Sequence, residues 1–301
     1  MEVCFFGSFN PDYSRNILTK KAFQKIGFKI IECNDSSRGV KHYLALINQF
    51  NSKCKDCDII FVPVMGHYEV PLAWVLAKIY RKNIIFDAFF SLYDTYVLDR
   101  QTTKSRSLTA LKLKFFDFIS TLLADKVILD TKENIKYFTD HYPVNKKKFY
   151  ELPVTADNDI FNGNIKYSFS EILRLGFYGF FLPLHGVKMI VDVIKSTNRQ
   201  LACNMFGKGH DFLKIKRIIN SDSKLRKLIF LKNKFIAYNK LPSFYESIDV
   251  FLAGPFGETS KADRVLPAKV VESLAVGCPT VVAEKPATKR LLKEYKMENL
   301  I

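Results

Sequence analysis

The sequence predicts an α/β protein of two Rossmann-like domains that face a common cleft, and three observations carry that prediction. Short β-rich apolar runs alternate with helix-length amphipathic stretches along the whole chain, the pattern of parallel strands joined by crossover helices. Near the middle, residues 153–170 (PVTADNDIFNGNIKYSFS) are polar, carry Pro, Gly, Asn and Asp, follow neither period and read as an interdomain linker. The 301 residues, 48% hydrophobic and 25% charged, supply two ordinary cores and exclude large-scale disorder. The expected domains are residues 1–155 and 156–301.

In the first half the strand candidates are Val3 to Phe6, Lys29 to Cys33, Asp58 to Val62, Asn83 to Phe86 and Lys126 to Leu129. In the second they are Leu173 to Tyr178, Leu201 to Phe206, Leu228 to Leu231, Val250 to Ala253 and Thr280 to Ala283. No tandem repeat or low-complexity segment appears. Ligands of doubly wound sheets sit beyond the carboxyl ends of the strands, so the loops after these runs are where chemistry is expected.

The loop after the first strand runs from Gly7 to Asn16. Its glycine lets backbone amides approach an anion, and Arg15 adds a fixed positive charge. An ordinary strand-to-helix turn explains it equally. After the fourth strand, Asp87, Ser91, Asp94, Asp99 and Arg100 gather carboxylates, hydroxyls and a guanidinium, a set suited to sugar hydroxyls or proton transfer. Asp94 and Asp99 fit turn caps paired with Arg100 just as well. In the second half, Gly179 to Val187 is again a strand end, loop and helix start, with His185 just ahead of the positive helix end, placed either for a phosphate or for packing.

The richest segment is Gly254 to Val282. A strand ends in a glycine-rich loop bearing Arg264, a helix starts near Pro267 and stops at Gly277, and Pro279 opens the next strand. Lys269 and Glu272, three apart, share a helix face. Arg264 and Lys269 near the positive helix end offer a place for a diphosphate, and Glu272 one turn on can accept bonds from a ribose diol.

Composition narrows the class. The net charge of +16 predicts attraction to polyanions, and with no helix-turn-helix or aromatic RNA-binding signature a nucleic-acid partner is not expected. The apolar runs are far shorter than the roughly 20 residues that span a bilayer. Met1-Glu2 leads straight into a strand without a basic n-region, so no signal peptide is expected and the cytoplasm is the expected compartment. The six cysteines are scattered and read as reduced, buried thiols. Cys54 and Cys57 have the spacing of half a zinc site, but no second Cys pair or spaced His pair completes four ligands, so no metal is expected.

Gly254 to Val282 resembles the nucleotide-sugar signature of the retaining glycosyltransferases of family four, which have the GT-B fold. Gly179 to Val187 resembles that family's glycine loop, with Gly179 and Gly186 facing the donor, and Phe206 to Gly209 its next strand-end glycines. The opening at Gly7, the Gly66-His67 loop and Asp87 to Arg100 resemble one bacterial and archaeal branch. Glu272 falls on the second glutamate of the family's E-x7-E motif, whereas the first is replaced by Arg264, and the basic pair of the glycine loop is replaced by Phe180 and His185. The chain also stops soon after a helix-like stretch from Pro286, so the second domain is expected to be small or truncated.

The resemblance implies an acceptor-binding first domain and a donor-binding second one. It implies retaining, metal-independent transfer of a sugar from a nucleoside diphosphate sugar, expected to be a UDP-sugar, with no separate cofactor. Asp87, His185, Arg264 and Lys269 are the catalytic candidates. Gly7, Arg15, Gly179, Gly186, Gly209 and Glu272 would hold the donor, and His67, Ser91, Asp94, Asp99 and Arg100 the acceptor. A sugar-nucleotide-binding protein that has lost catalysis is the alternative, suggested by Arg264, Phe180 and the short C-terminus. Between Arg100 and Lys126, Lys104, Arg106, Lys112 and Lys114 accompany Leu108, Leu111, Leu113, Phe115, Phe116 and Phe118. That mixture suits either a core helix with a basic edge or peripheral attachment to the anionic inner face of the cell membrane, with a lipid-linked or cell-surface saccharide as acceptor.

Overall fold

A computed structural model describes residues 1–163 and 171–297. The chain divides into two compact units, Met1–Pro153 and Val154–Ile301. The first runs β1 (Glu2–Gly7), α1 (Ser14–Lys25), β2 (Lys29–Asn34), α2 (Val40–Gln49), β3 (Ile59–Val62), α3 (Val70–Tyr80), β4 (Asn83–Phe89), α4 (Leu108–Leu123), β5 (Lys126–Leu129), α5 (Lys132–His141) and β6 (Phe149–Glu151). Its sheet is parallel in the order β2-β1-β3-β4-β5-β6. β1 shows why its sequence is apolar at almost every position. Cys4 and Phe6 enter one core, under α2 and α3, while Val3 and Phe5 enter another with Phe23 and Phe28 on and after α1.

The second unit runs β7 (Leu173–Tyr178), α6 (Val187–Ser196), β8 (Leu201–Phe206), α7 (Phe212–Ser221), α8 (Ser223–Leu228), β9 (Ile229–Lys232), α9 (Leu241–Glu246), β10 (Val250–Leu252), α10 (Ala268–Ala275), β11 (Thr280–Val281) and α11 (Pro286–Glu294). Its sheet, also parallel, has the order β11-β10-β7-β8-β9. In both sheets the chain grows to one side of the first strand and then crosses back. The topological switch points, where such sheets bind ligands, therefore lie at β1/β3 and β7/β10.

Two expectations change. β6, which the sequence reading passed over, is a three-residue edge strand behind the lysine turn Lys146–Lys148, too short to show alternation. The expected linker is partly structured: Phe161 is fully buried with Tyr245 and Phe251, Asp157 is buried, and Val154, Ala156 and Ile160 pack partly against the same core of the second unit. The rest of that stretch, residues 164–170, lies outside the described residues. Among the described residues no helix is long and apolar enough to cross a membrane.

One buried carboxylate fixes the long connection after β4. Asp117 of α4, with no exposed surface, accepts bonds from the Ser91 hydroxyl (2.6 Å), the Leu92 and Tyr93 amides (2.7 and 2.9 Å) and the Tyr142 hydroxyl (3.1 Å). Burial raises its carboxyl to about 6, against the pull of those bonds. Asp117→Ala orphans all four donors, and at about 1–3 kcal/mol for each unsatisfied buried group it should cost at least about 3 kcal/mol in urea unfolding. A loss under about 1 kcal/mol, the net worth of one ordinary bond, would show that the connection is held elsewhere.

Candidate functional site

At the β7/β10 switch point the loops after β7, β8 and β10 are stitched together by backbone bonds. The Gly179 amide donates to Phe206 O (3.0 Å), Phe181 N to Lys208 O (2.8 Å), Asp211 N to Phe181 O (2.9 Å) and Gly257 N to Leu184 O (2.9 Å). Glycine makes this approach possible. Gly186 is left-handed (φ 59°), and a Cβ there would lie 2.4 Å from the Phe256 carbonyl carbon. A Cβ on Gly209 would lie 2.6 Å from Phe181 O.

Into this rim α10 projects Lys269. Its ammonium lies 4.2 Å from the Phe177 ring centroid and against Gly179, where a Cβ would sit 3.4 Å from Nζ. The ammonium is buried and, among the described residues, has no hydrogen-bond partner. Burial pushes it down to about 7, with Glu272 opposing. Glu272, one turn along the same face, is 5% exposed, and burial raises its carboxyl to about 7 against the attraction of Lys269. Tyr178, Tyr238 and Tyr245 lie close enough for the Glu272 charge to add to the burial that raises their hydroxyls. The sequence reading missed these tyrosines, because Tyr238 and Tyr245 belong to a helical stretch far from the motif. Arg264 is half-buried in the short turn Ala262–Arg264, and His185 is half-buried at the end of the turn Pro183–His185, its ring 6.5 Å from that of Phe177.

The first unit rearranges the sequence expectations more deeply. Asp87 and Arg15, assigned above to different substrates, hold each other: Nε donates to Oδ2 at 2.7 Å and Nη2 to Oδ1 at 3.0 Å, at 1% and 8% exposure. Arg15 also donates to Leu152 O (3.0 Å) and stacks over Phe89 (4.6 Å). Both Asp87 oxygens are engaged, so it is placed as an anchor of α1 on β4 rather than as a free base.

His67 has no exposed surface, lies 3.5 Å from Asp117 and packs edge-on against Phe86, and burial lowers its imidazole to about 3, leaving it neutral. The Ser91 hydroxyl is taken up by Asp117. Asp94 and Asp99 are 2% exposed within the helical turn Asp94–Asp99, and half-buried Arg100 stacks on Tyr96 at 5.2 Å. These acceptor candidates therefore line the inside of one connection.

At the β1/β3 switch point stands a group the sequence reading did not single out. His42 bridges Asp35 (Nδ1 to Oδ1, 3.1 Å) and Glu69 (Nε2 to Oε1, 3.2 Å), and a Cβ on Gly7 would meet Glu69 Cγ at 3.4 Å. Asp35 and His42 are seven residues apart, but Glu69 stands 27 residues beyond His42, so no local spacing announces the group.

No protein-family model matches the chain, and no curated protein matches it in sequence. Solved structures do match in fold. HepE from Anabaena, in complex with UDP-glucose, matches with a TM-score of 0.64 at 12% identity, over 97% of this chain and 82% of its own. The catalytic domain of Arabidopsis thaliana starch synthase IV bound to ADP and acarbose gives 0.65 at 12% identity, over 96% and 84%. The lipopolysaccharide outer core galactosyltransferase WaaB, in its apo form, gives 0.57 at 13%, over 97% and 83%.

The two domains have the GT-B fold.

Arg15 and Asp87 give this fold assignment a local test. Breaking one partner of a buried ion pair strands the other, so Arg15→Met or Asp87→Asn should each cost about 3–5 kcal/mol. The double variant should recover part of that loss in urea unfolding. Additive losses would mean that the two side chains act independently.

Proposed function

We propose that the chain is a glycosyltransferase that moves a sugar, with retention, from a nucleoside diphosphate sugar to a saccharide hydroxyl. The observation that carries this reading is the buried Lys269–Glu272 pair at the carboxyl edge of the second sheet. An ammonium enclosed by Phe177 and the Gly179 backbone, without an acceptor of its own, is matched to an anionic ligand group. The N-terminus of α10 points its backbone amides the same way. Glu272, one turn on, would accept from the ribose diol. Lys269 and the helix dipole would then offset the charge on the departing diphosphate without a metal ion, and the enclosed position strengthens that effect.

HepE is described with UDP and with UDP-glucose, which supports a uridine diphosphate hexose as donor. Together with the resemblance of Gly254 to Val282, the fold supports family four. Arg264 and His185 are secondary diphosphate candidates; Gly179 lies beside the Lys269 ammonium, while Gly186 and Gly209 act by letting the loops around it close up rather than by touching the donor. In the first domain, Gly7 with Glu69 and His42 replaces Asp87 as the polar group facing the acceptor. The engagement of both Asp87 oxygens also favours the second reading, a donor-binding protein without turnover; release of labelled sugar from UDP-glucose to an acceptor or water separates the two.

Donor binding has a pH signature. The diphosphate favours protonated Lys269, whose free value of about 7 lies below the ordinary lysine value, so at about pH 8 binding takes up a proton and affinity falls as pH rises past 7. Titration calorimetry of UDP-glucose in two buffers of different ionisation enthalpy reads this directly. Lys269→Met should abolish the uptake, and Glu272→Gln should weaken binding roughly 10- to 150-fold, the worth of a charged hydrogen bond of about 1.5–3 kcal/mol. Unchanged affinity in both folded variants would remove the pair from the site.

The acceptor proposal rests on α4. It buries Ala110, Leu113, Asp117, Ser120 and Thr121 and leaves Leu108, Leu111, Phe115 and Leu122 exposed beside Lys104, Arg106, Lys112 and Lys114. An apolar row flanked by ammonium and guanidinium groups fits an anionic bilayer, each basic group near the surface adding about 1 kcal/mol. We propose peripheral attachment to the inner face of the cell membrane and a lipid-linked or cell-surface saccharide acceptor. Co-sedimentation should rise with anionic lipid and fall with salt. Equally negligible binding to anionic and neutral vesicles at low salt would point to an acceptor free in solution.

A further inference from the structure

Four of the six cysteines converge on one point in the core of the first unit. Cys4 comes from β1, Cys33 from β2, Cys54 from the π-helical turn Phe50–Cys54 that ends α2, and Cys57 from the turn that follows. All four are wholly buried. The sulfurs of Cys4, Cys33 and Cys54 all lie within 4.8 Å of one another, with Cys33 and Cys54 only 3.1 Å apart. Cys57 is buried in the same core cluster, and its amide donates to Cys54 O at 2.9 Å, closing the Cys54-x-x-Cys57 loop into a tight turn. Cys203 and Cys278 lie in the other unit.

One or two thiols in a core need no ligand, since cysteine packs as a small hydrophobe. Three thiols brought from three elements to within 4.8 Å of one another, with a fourth in the turn beside them, are a different arrangement. Tetrahedral zinc with Zn–S bonds of about 2.3 Å sets its sulfurs about 3.8 Å apart; Cys4, Cys33 and Cys54 lie within 4.8 Å of one another, and Cys57 completes the set by turning in from the adjoining turn. We infer that Cys4, Cys33, Cys54 and Cys57 form a tetrathiolate site for a structural zinc ion that ties β1, β2 and the end of α2 together.

Each thiol gives its proton to solvent as its sulfur joins the metal, so four protons leave and the site carries a net charge of −2. Lys53, exposed and next to Cys54 in the chain, and half-buried Lys82 are ammonium groups of the same unit that can partly offset that charge from the solvent side. The π-helical turn adds to the case. Widening the last turn of α2 carries Cys54 onto the sheet, a local distortion of the kind that recurs at functional positions. Because the ligands come from separate elements, the ion would be captured as the domain folds.

Metal analysis of the full chain, purified under reducing conditions without chelator, should find about one zinc per chain, the stoichiometry of a single closed site. An organomercurial that caps thiols should release it. Cobalt(II) added to the reduced apo-protein should give the thiolate charge-transfer and d–d bands of a tetrahedral sulfur site. Cys57→Ser should lose those bands and melt at a lower temperature, and Cys203→Ser should keep both metal and bands. The inference is overturned if the folded, reduced protein carries no zinc and develops no cobalt bands. It is equally overturned if peptide mapping of the protein as isolated, before any metal is removed, finds Cys33 linked to Cys54 as a disulfide.

Discussion

An ammonium buried without a hydrogen-bond acceptor among the described residues is the constraint around which the second domain is organised. Water has been taken from Lys269 and replaced by the face of Phe177 and the backbone of Gly179, and the low value of about 7 measures how poorly that exchange suits a charge. Glu272 attracts the ammonium from one turn away without making a salt bridge, and its own carboxyl is raised to about 7 by the same enclosure. The two groups therefore sit where a proton is shared out by whatever ligand arrives. An anion shifts the balance toward protonated Lys269, and a hydroxyl donor toward ionised Glu272. Neither response would be available to the same residues on an exposed helix, where solvent already satisfies both.

The rest of the domain serves that enclosure. A lysine on the first turn of α10 reaches the end of β7 only if the loops after β7, β8 and β10 lie nearly in van der Waals contact, and side chains larger than hydrogen at Gly186 or Gly209 would hold them apart. Backbone-to-backbone bonds then fix the loops without depending on side-chain rotamers. The parallel sheet sets the stage, because its strands all end at one edge and its switch point leaves room there for helices to point their N-termini inward.

Much of this was legible in the chain. Buried parallel strands need apolar residues on both faces, so runs such as Leu201 to Phe206 announce themselves, and Pro and Gly mark the ends of α10. Strands too short to show a pattern, β6 above all, leave no such signal. The motif around Lys269 and Glu272 was legible because one helix carries both residues, and helical spacing translates directly into a shared face. What depends on pairing across elements was not. Nothing local tells that Arg15 of α1 meets Asp87 of β4, that Asp117 takes up the Ser91 hydroxyl, or that four cysteines spread over Cys4 to Cys57 gather at one point.

That difference explains why the first domain's candidates changed so much. A segment dense in carboxylates and hydroxyls looks like a binding surface, yet in the connection after β4 those groups have no ladder to satisfy the backbone and are used to tie it down. Ser91 is spent on Asp117, His67 is sealed in as a neutral ring, and Asp94 and Asp99 turn inward. Polar side chains left over for a ligand must come from places where the backbone is already satisfied, at the ends of regular strands and the starts of helices. Glu69, just ahead of α3, meets that condition at the β1/β3 switch point: His42 on α2 holds its Oε1, Oε2 has no hydrogen-bond partner among the described residues, and Gly7 keeps the space beside it clear. The same condition selects Lys269 and Glu272 in the second domain, so in both the polar groups left for a ligand stand on or at the start of regular helices while many loop groups are committed to holding the loops.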